Sequence, residues 1–208
     1  MGGEARHQLE ASHQGREEAL ARCRETIRAC GLSIRAVHRL QPAEARTRAA
    51  EAEASLRRAQ AALEPFPRLA AAGFLHDAEK EFAEAHLTAA LVEGTGLPGA
   101  DALGVGLPAW LNGLAEAASE LRRHLLDRLR HGEVGRGEDL LGAMEDCYDL
   151  LVTIEYPDAV TGGLRRATDA LRAVVERSRA DVTTTVLQAR LQRAIEDHLE
   201  RGDATAQP

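Results

Sequence analysis

At 208 residues the chain is long enough for one sizeable core, and no shift of composition asks for a second domain. Hydrophobic residues make up 44% and aromatics only 3%; an apolar set drawn mostly from Ala and Leu suits helices rather than strands, so an all-α fold is expected. The formal net charge of -7 excludes a generic polyanion binder, which leaves any nucleic-acid contact to a local basic surface.

Residues 1–16 are expected as a flexible N-terminal tail. From Leu20 the apolar positions Leu20, Cys23, Ile27, Cys30, Ile34 and Val37 alternate steps of three and four, a heptad seam on one long helix. Cys23, Cys30 and Cys147 form no metal-ligand pattern, and their odd number points to a reduced, cytoplasmic protein. Beside the seam, Arg24, Arg28, Arg35 and Arg39 make a cationic stripe suited to a phosphate backbone, or equally a solvated face paired with nearby Glu.

Pro42 fits the first turn of a second helix running to about Leu63, which "EPFP" ends. A third helix is expected over 68–93, and the stretch "GTGLPGADALGVGLP" after it is too rich in Gly and Pro to be helical. With no Lys-Ser/Thr and no preceding strand it is a linker, not a phosphate loop. Further helices are expected over 108–130, 137–154 and, after "YPDAVTGG", 164–199 with a break near Ala180 and Asp181. The domain would thus span 17–201, with 202–208 a flexible C-terminal tail. No apolar run approaches a membrane span.

Two acidic pairs stand out. In "KEFAEA" Glu81 and Glu84 lie three apart, and in "GLAEAASELRR" Glu116 and Glu120 lie four apart. On a helix each pair shares a side and repels. Two such faces, set among small residues, can converge on a hard divalent cation such as Mg²⁺. Spacing alone also fits acids that face water or pair with Lys80, Arg122 or Arg123. His76, His86, His124 and His131 are scattered singly and read as surface or helix-end residues.

An all-helical nucleotide pyrophosphohydrolase of the MazG type also uses Glu-x-x-Glu, and Glu81 and Glu84 fit that half of its motif. The second half fails, because Ser119 stands three residues after Glu116; Asp146 and Asp149 are a distant substitute.

Taken in order, "REEALARCRETIRACGLSIRAVHR", "FLHDAEKEFAEAHL", "LPAWLNGLAEAASELRR" and "MEDCYDLLVTIEYPDAVTGGLRRATDALR" resemble the translin and translin-associated factor X (TRAX) family in its prokaryotic, single-gene form. The resemblance covers about Glu17 to Leu199. It implies about seven helices in a translin-like bundle that assembles into a hollow homo-oligomer, an octamer, enclosing RNA or single-stranded DNA. Translin-like subunits only bind nucleic acid, whereas factor X-like subunits carry Mg²⁺-binding carboxylates, with Mn²⁺ a possible substitute, and cleave RNA endonucleolytically.

Those carboxylates lie in a "QEYVEA"-type and a "GVADLTGEL"-type stretch, which fall here on Glu81 and Glu84 and on Glu116 and Glu120. The resemblance implies Glu81, Glu84 and Glu120 as ligands with Glu116 assisting, since Glu stands at 116 where the pattern has Asp. The function implied is a Mg²⁺-dependent endoribonuclease acting on single-stranded or short structured RNA, with a non-catalytic binding shell as the alternative.

Overall fold

The computed structural model describes residues 2–205, and all regular structure among them is helical. The helices are α1 (Gly2–His38), α2 (Pro42–Leu63), the single turn α3 (Pro67–Ala70), α4 (Phe74–Glu93), the single turn α5 (Ala100–Leu103), α6 (Leu107–Arg130), α7 (Val134–Val152), the single turn α8 (Asp158–Thr161) and α9 (Leu164–Thr205). The all-α expectation holds, as six long helices and three short ones among the described residues. No helix among them is long and apolar enough to cross a membrane.

The seam on α1 is buried at Ala19, Cys23, Thr26, Cys30, Ser33 and Val37, while Leu20 and Ile27 flank it half-buried. It packs on α2 and α4. Burial pushes the Cys23 thiol up to about 11, Cys30 to about 12 and Cys147 to about 11, so all three act as small core residues. Ser33 Oγ donates to the Ala45 carbonyl at 2.9 Å, which ties α1 to α2.

Three expected boundaries shift. Residues 2–16, read as a tail, are helix, because their Glu, Ala, Gln, Arg and Leu are strong helix formers. The span read as one helix over 68–93 is split at Gly73, whose φ of 90° a helix cannot contain. On α9 there is no break at Ala180 and Asp181: Arg122 on α6 donates to Asp181 Oδ2 at 2.7 Å and to Ser178 Oγ at 3.0 Å, and the helix runs on to Thr205. Residues 202–205, read as tail, are therefore helical, while 206–208 lie outside the described residues.

The Gly/Pro stretch connects α4 to α6 and is pinned rather than loose. Arg57 and Gln60 on α2 donate to the carbonyls of Leu103 and Gly104 at 2.8–3.0 Å, Glu79 accepts from Gly106 N at 3.2 Å, and Trp110 Nε1 donates to Pro98 O at 2.9 Å. One turn of it is helical.

Helix α6 is the axis of the bundle, touching α4, α7 and α9. It approaches α4 tightly at Gly113, where a Cβ would lie 2.8 Å from Lys80 O, 2.9 Å from Ala83 Cβ and 3.0 Å from Glu84 N. Only glycine fits there. The "TGG" that follows α8 has a similar reason: Gly162 and Gly163 have φ of 63° and 87°, and a Cβ on Gly162 would lie 2.8 Å from the His76 ring. Asn112 Nδ2 holds this segment by donating to Thr161 O at 2.8 Å.

Gly113→Ala should therefore force α4 from α6 and cost roughly 1–3 kcal/mol in urea unfolding. Gly142→Ala on α7, where an added Cβ meets nothing within 4 Å, should leave stability unchanged or slightly raised; equal midpoints for the two variants would contradict this packing.

Candidate metal centre

Where Gly113 admits the backbone of α4, Glu81 and Glu84 on α4 meet Glu116 on α6. Oxygens of Glu81, Glu84 and Glu116 all lie within 4.8 Å of one another. Glu84 is buried, with 8% of its surface exposed, while Glu81 and Glu116 are half-buried. Carboxylates so placed cannot all stay ionised without a cation. Burial, with Glu116 and Glu81 beside it, raises Glu84 to about 9, and a hydrogen bond with Glu116 keeps the proton on it.

Lys80, the only lysine among the 26 Lys and Arg residues, sits over this group. Its Nζ donates to both oxygens of Glu116 at 2.7 Å and lies 3.4 Å from Glu81 Oε1. Burial alone would lower the ammonium pKa, but Glu116 and Glu81 outweigh it and raise it.

Glu120 stands apart from the cluster. Its Oε2 accepts from His38 Nε2, at the end of α1, at 2.7 Å. The hydrogen bond from His38 holds the Glu120 carboxyl below the usual range. His38 Nδ1 lies 3.1 Å from His124 Nε2, and the two rings stack. His124 is 5% exposed; burial and the neighbouring His38 lower it to about 4. The acids that converge are thus Glu81, Glu84 and Glu116, while Glu120, one turn further along α6 than Glu116, is held by His38 of α1.

Sequence reasoning missed His38 and misread His124 as peripheral. Their link joins residues 86 positions apart, and only the spacing that puts His38 on the α1 seam hinted at it. Of the other histidines, His131 is the exposed helix-end residue expected, while His86 lies edge-on to Phe82 with its Nε2 buried and unpartnered.

The four stripe arginines of α1, Arg24, Arg28, Arg35 and Arg39, are all exposed, and among the described residues none has an ion-pair partner within 4.0 Å. Their neighbour Arg22, in contrast, pairs with Glu25 at 2.9 Å. Arg122, expected as a partner of the acids, is bound to Asp181 instead.

The cluster offers carboxylate oxygens only, a donor set suited to a hard divalent cation. Asp146 and Asp149 on α7 are not part of any such cluster among the described residues.

The fold recurs in solved structures. The crystal structure of AfC3PO is 32% identical, with a TM-score of 0.83 over 91% of this chain and 98% of that one. A complex of AfC3PO with duplex RNA is also 32% identical, with a TM-score of 0.82 over 91% and 97%. C3PO structures are of the translin/TRAX type. The chain belongs to the translin/TRAX family. Apo-NeC3PO, at 17% identity and a TM-score of 0.80 over 88% of this chain and 96% of that one, shares the fold.

An uncharacterised protein of Methanocaldococcus jannaschii is 28% identical over 187 residues, 89% of this chain and 81% of that protein. No family profile matches the sequence. Against the translin-family stretches quoted above, this chain has Lys80 where Gln stands and Glu116 where Asp stands, and those two departures are bonded to each other.

Glu84 makes stability depend on pH. In the unfolded chain it ionises above about 4.5, whereas folded it keeps its proton to about 9. Folding therefore takes up a proton in that window, and stability falls as pH rises through it. In EDTA the wild-type unfolding midpoint should fall more steeply with pH between about 5 and 9 than that of Glu84→Gln, which has no proton to lose; parallel slopes would contradict the assignment.

Proposed function

We propose that this translin-family chain is a Mg²⁺-dependent endoribonuclease that cleaves single-stranded or short structured RNA inside a homo-oligomeric shell. The convergence of Glu81, Glu84 and Glu116 across the α4–α6 contact carries this reading. The likeness to a protein solved with duplex RNA supports the substrate class.

Glu81, Glu84 and Glu116 hold the ion, and Glu120, fixed by His38, stands ready as a further ligand or as a hydrogen-bond acceptor for water. Bound there, Mg²⁺ or Mn²⁺ supplies the charge that polarises the scissile phosphate and acidifies the attacking water. Glu84 gives up its proton when the cation arrives. Displacement by water leaves 5′-phosphate and 3′-hydroxyl ends, and no histidine takes part in proton transfer to the RNA.

Arg24, Arg28, Arg35 and Arg39 bind the phosphate backbone of RNA, or of single-stranded DNA, from the inner face of the shell. Among the described residues none of them is engaged in an ion pair within 4.0 Å, which supports this, since a cation already paired has less to offer a phosphate. On α9, Leu187, Leu191, Ile195 and Leu199 recur every four residues and are each more than half exposed, an apolar stripe that a second copy of the chain would cover. Val186, next to it, packs on the core of its own chain.

A second reading has one observation in its favour: Lys80 and His38 already occupy Glu116 and Glu120. In that reading the protein is a binding shell without activity.

The two are separated by incubating labelled RNA with the species whose mass by light scattering is oligomeric. Cleavage in Mg²⁺ but not EDTA is expected, with Glu81→Gln slower by about two orders of magnitude or more while assembly and RNA binding stay near wild type. No cleavage in Mg²⁺ or Mn²⁺ would leave the binding shell, and a monomeric mass would remove the shell itself. The paired change Arg28→Ala and Arg35→Ala should weaken RNA binding and flatten its salt dependence by roughly two ion equivalents; an unchanged slope would take the stripe out of the interface.

A further inference from the structure

We propose that Lys80 is a cation built into the acidic centre, which a divalent ion must displace in order to bind, so that Lys80 sets the ion concentration at which the site fills. The inference rests on the metal reading above.

Three observations carry it. First, the ammonium is already where a metal's charge would be needed: it donates to both oxygens of Glu116 at 2.7 Å and lies 3.4 Å from Glu81. The ammonium takes a lone pair of each Glu116 oxygen and sets a positive charge beside them, so an ion that uses Glu116 competes with Lys80 for that carboxylate.

Second, Lys80 is enclosed. Its side chain is 20% exposed, and its own backbone carbonyl lies where α4 meets Gly113. It is therefore a fixed member of the centre rather than a surface lysine that happens to lean over.

Third, it is the sole lysine in a chain that otherwise uses arginine. An ammonium is a compact point charge close in shape to a hydrated or ligated metal ion, whereas a guanidinium is a broad planar fork, always charged and directional. Among three convergent carboxylates the compact cation fits the space between oxygens. Once Glu84 has given up its proton, one ammonium against three carboxylates leaves a formal charge that a single divalent ion neutralises, so Lys80 weakens binding of the first ion and opposes a second.

Without a metal, Lys80 compensates the Glu81 and Glu116 charges and keeps α4 and α6 together. When the ion binds, the ammonium swings off Glu116 towards the open side of the centre, where the RNA phosphate would lie. Lys80 is a positioning and gating residue in this scheme, and no bond-making step is assigned to it.

Because it is the only lysine, Lys80 reports on itself in the wild-type protein. In full-length protein labelled with ¹⁵N-lysine, a Mg²⁺ titration should move the single side-chain ammonium signal. Acylation of Lys80 by a small amine-reactive ester, read by peptide mapping, should accelerate about tenfold on saturation, as an ammonium released from a close ion pair becomes available.

In parallel, Lys80→Met should bind Mn²⁺ about tenfold or more tightly than wild type by calorimetry or electron paramagnetic resonance. Its thermal midpoint should be lower than wild type in EDTA and rise further on adding Mn²⁺. Glu84→Gln serves as the weakened-site control. Mn²⁺ binding of equal strength in wild type and Lys80→Met, with the acylation rate unmoved by Mg²⁺, would overturn the role of Lys80 and leave the metal site standing. No Mn²⁺ binding to either protein would overturn both.

Discussion

The close approach of α4 and α6 at Gly113 is the constraint on which the centre depends. A helix pair separated by ordinary side chains would hold Glu81 and Glu84 too far from Glu116 to share a cation. With no Cβ at residue 113, the backbone of Lys80 to Glu84 comes into contact with α6 and the carboxylates are carried in with it. The rest of the bundle keeps that contact in place. Arg122 anchors α6 to α9, the connection between α4 and α6 is tied down by Arg57, Gln60 and Glu79, and Asn112 and His76 receive the segment after α8.

Bringing four glutamates into one region creates an electrostatic cost, and the structure relieves it in three ways according to depth. The deepest, Glu84, takes a proton. Glu116 and Glu81 share the ammonium of Lys80. Glu120 accepts a hydrogen bond from His38, which is backed in turn by the buried and proton-poor His124. Each device is one that a divalent cation would supersede or adjust. The charges of the centre are answered locally rather than absent.

The chain presents surfaces of different character. The whole molecule is acidic, yet the exposed arginines Arg24, Arg28, Arg35 and Arg39 of α1 form a basic strip whose last member, Arg39, follows His38 directly. The strip thus leads to the helix end that holds Glu120. On the far half of α9 an apolar stripe continues past the body of the bundle. Acidic centre, basic strip and apolar stripe lie on separate helices, so each can be altered with little effect on the folding of the others.

Much of the architecture was legible because helix formation is a local matter. Repeats of three and four apolar residues, Pro42 at a helix start and the Gly-rich stretch after Glu93 placed α2 and α6 within a residue or two. They placed α1 only in its second half, since nothing local separates an exposed helix rich in Glu, Ala and Arg from a tail. The break expected at Ala180 and Asp181 failed for a different reason: a polar patch on α9 finds its partner, Arg122, on another helix.

The same division runs through the centre. The sequence by itself determined that two helices each present a pair of carboxylates among small residues, and that the order of motifs is that of the translin family. Which carboxylates meet was decided by tertiary structure. Glu116 rather than Glu120 joins Glu81 and Glu84, Lys80 turns towards Glu116, and His38 reaches Glu120 across 82 positions of chain. Residue spacing sets the angle of a side chain about its own helix. The distance to a group on another helix depends on how closely the two axes approach, and here one missing methyl group at Gly113 sets that distance.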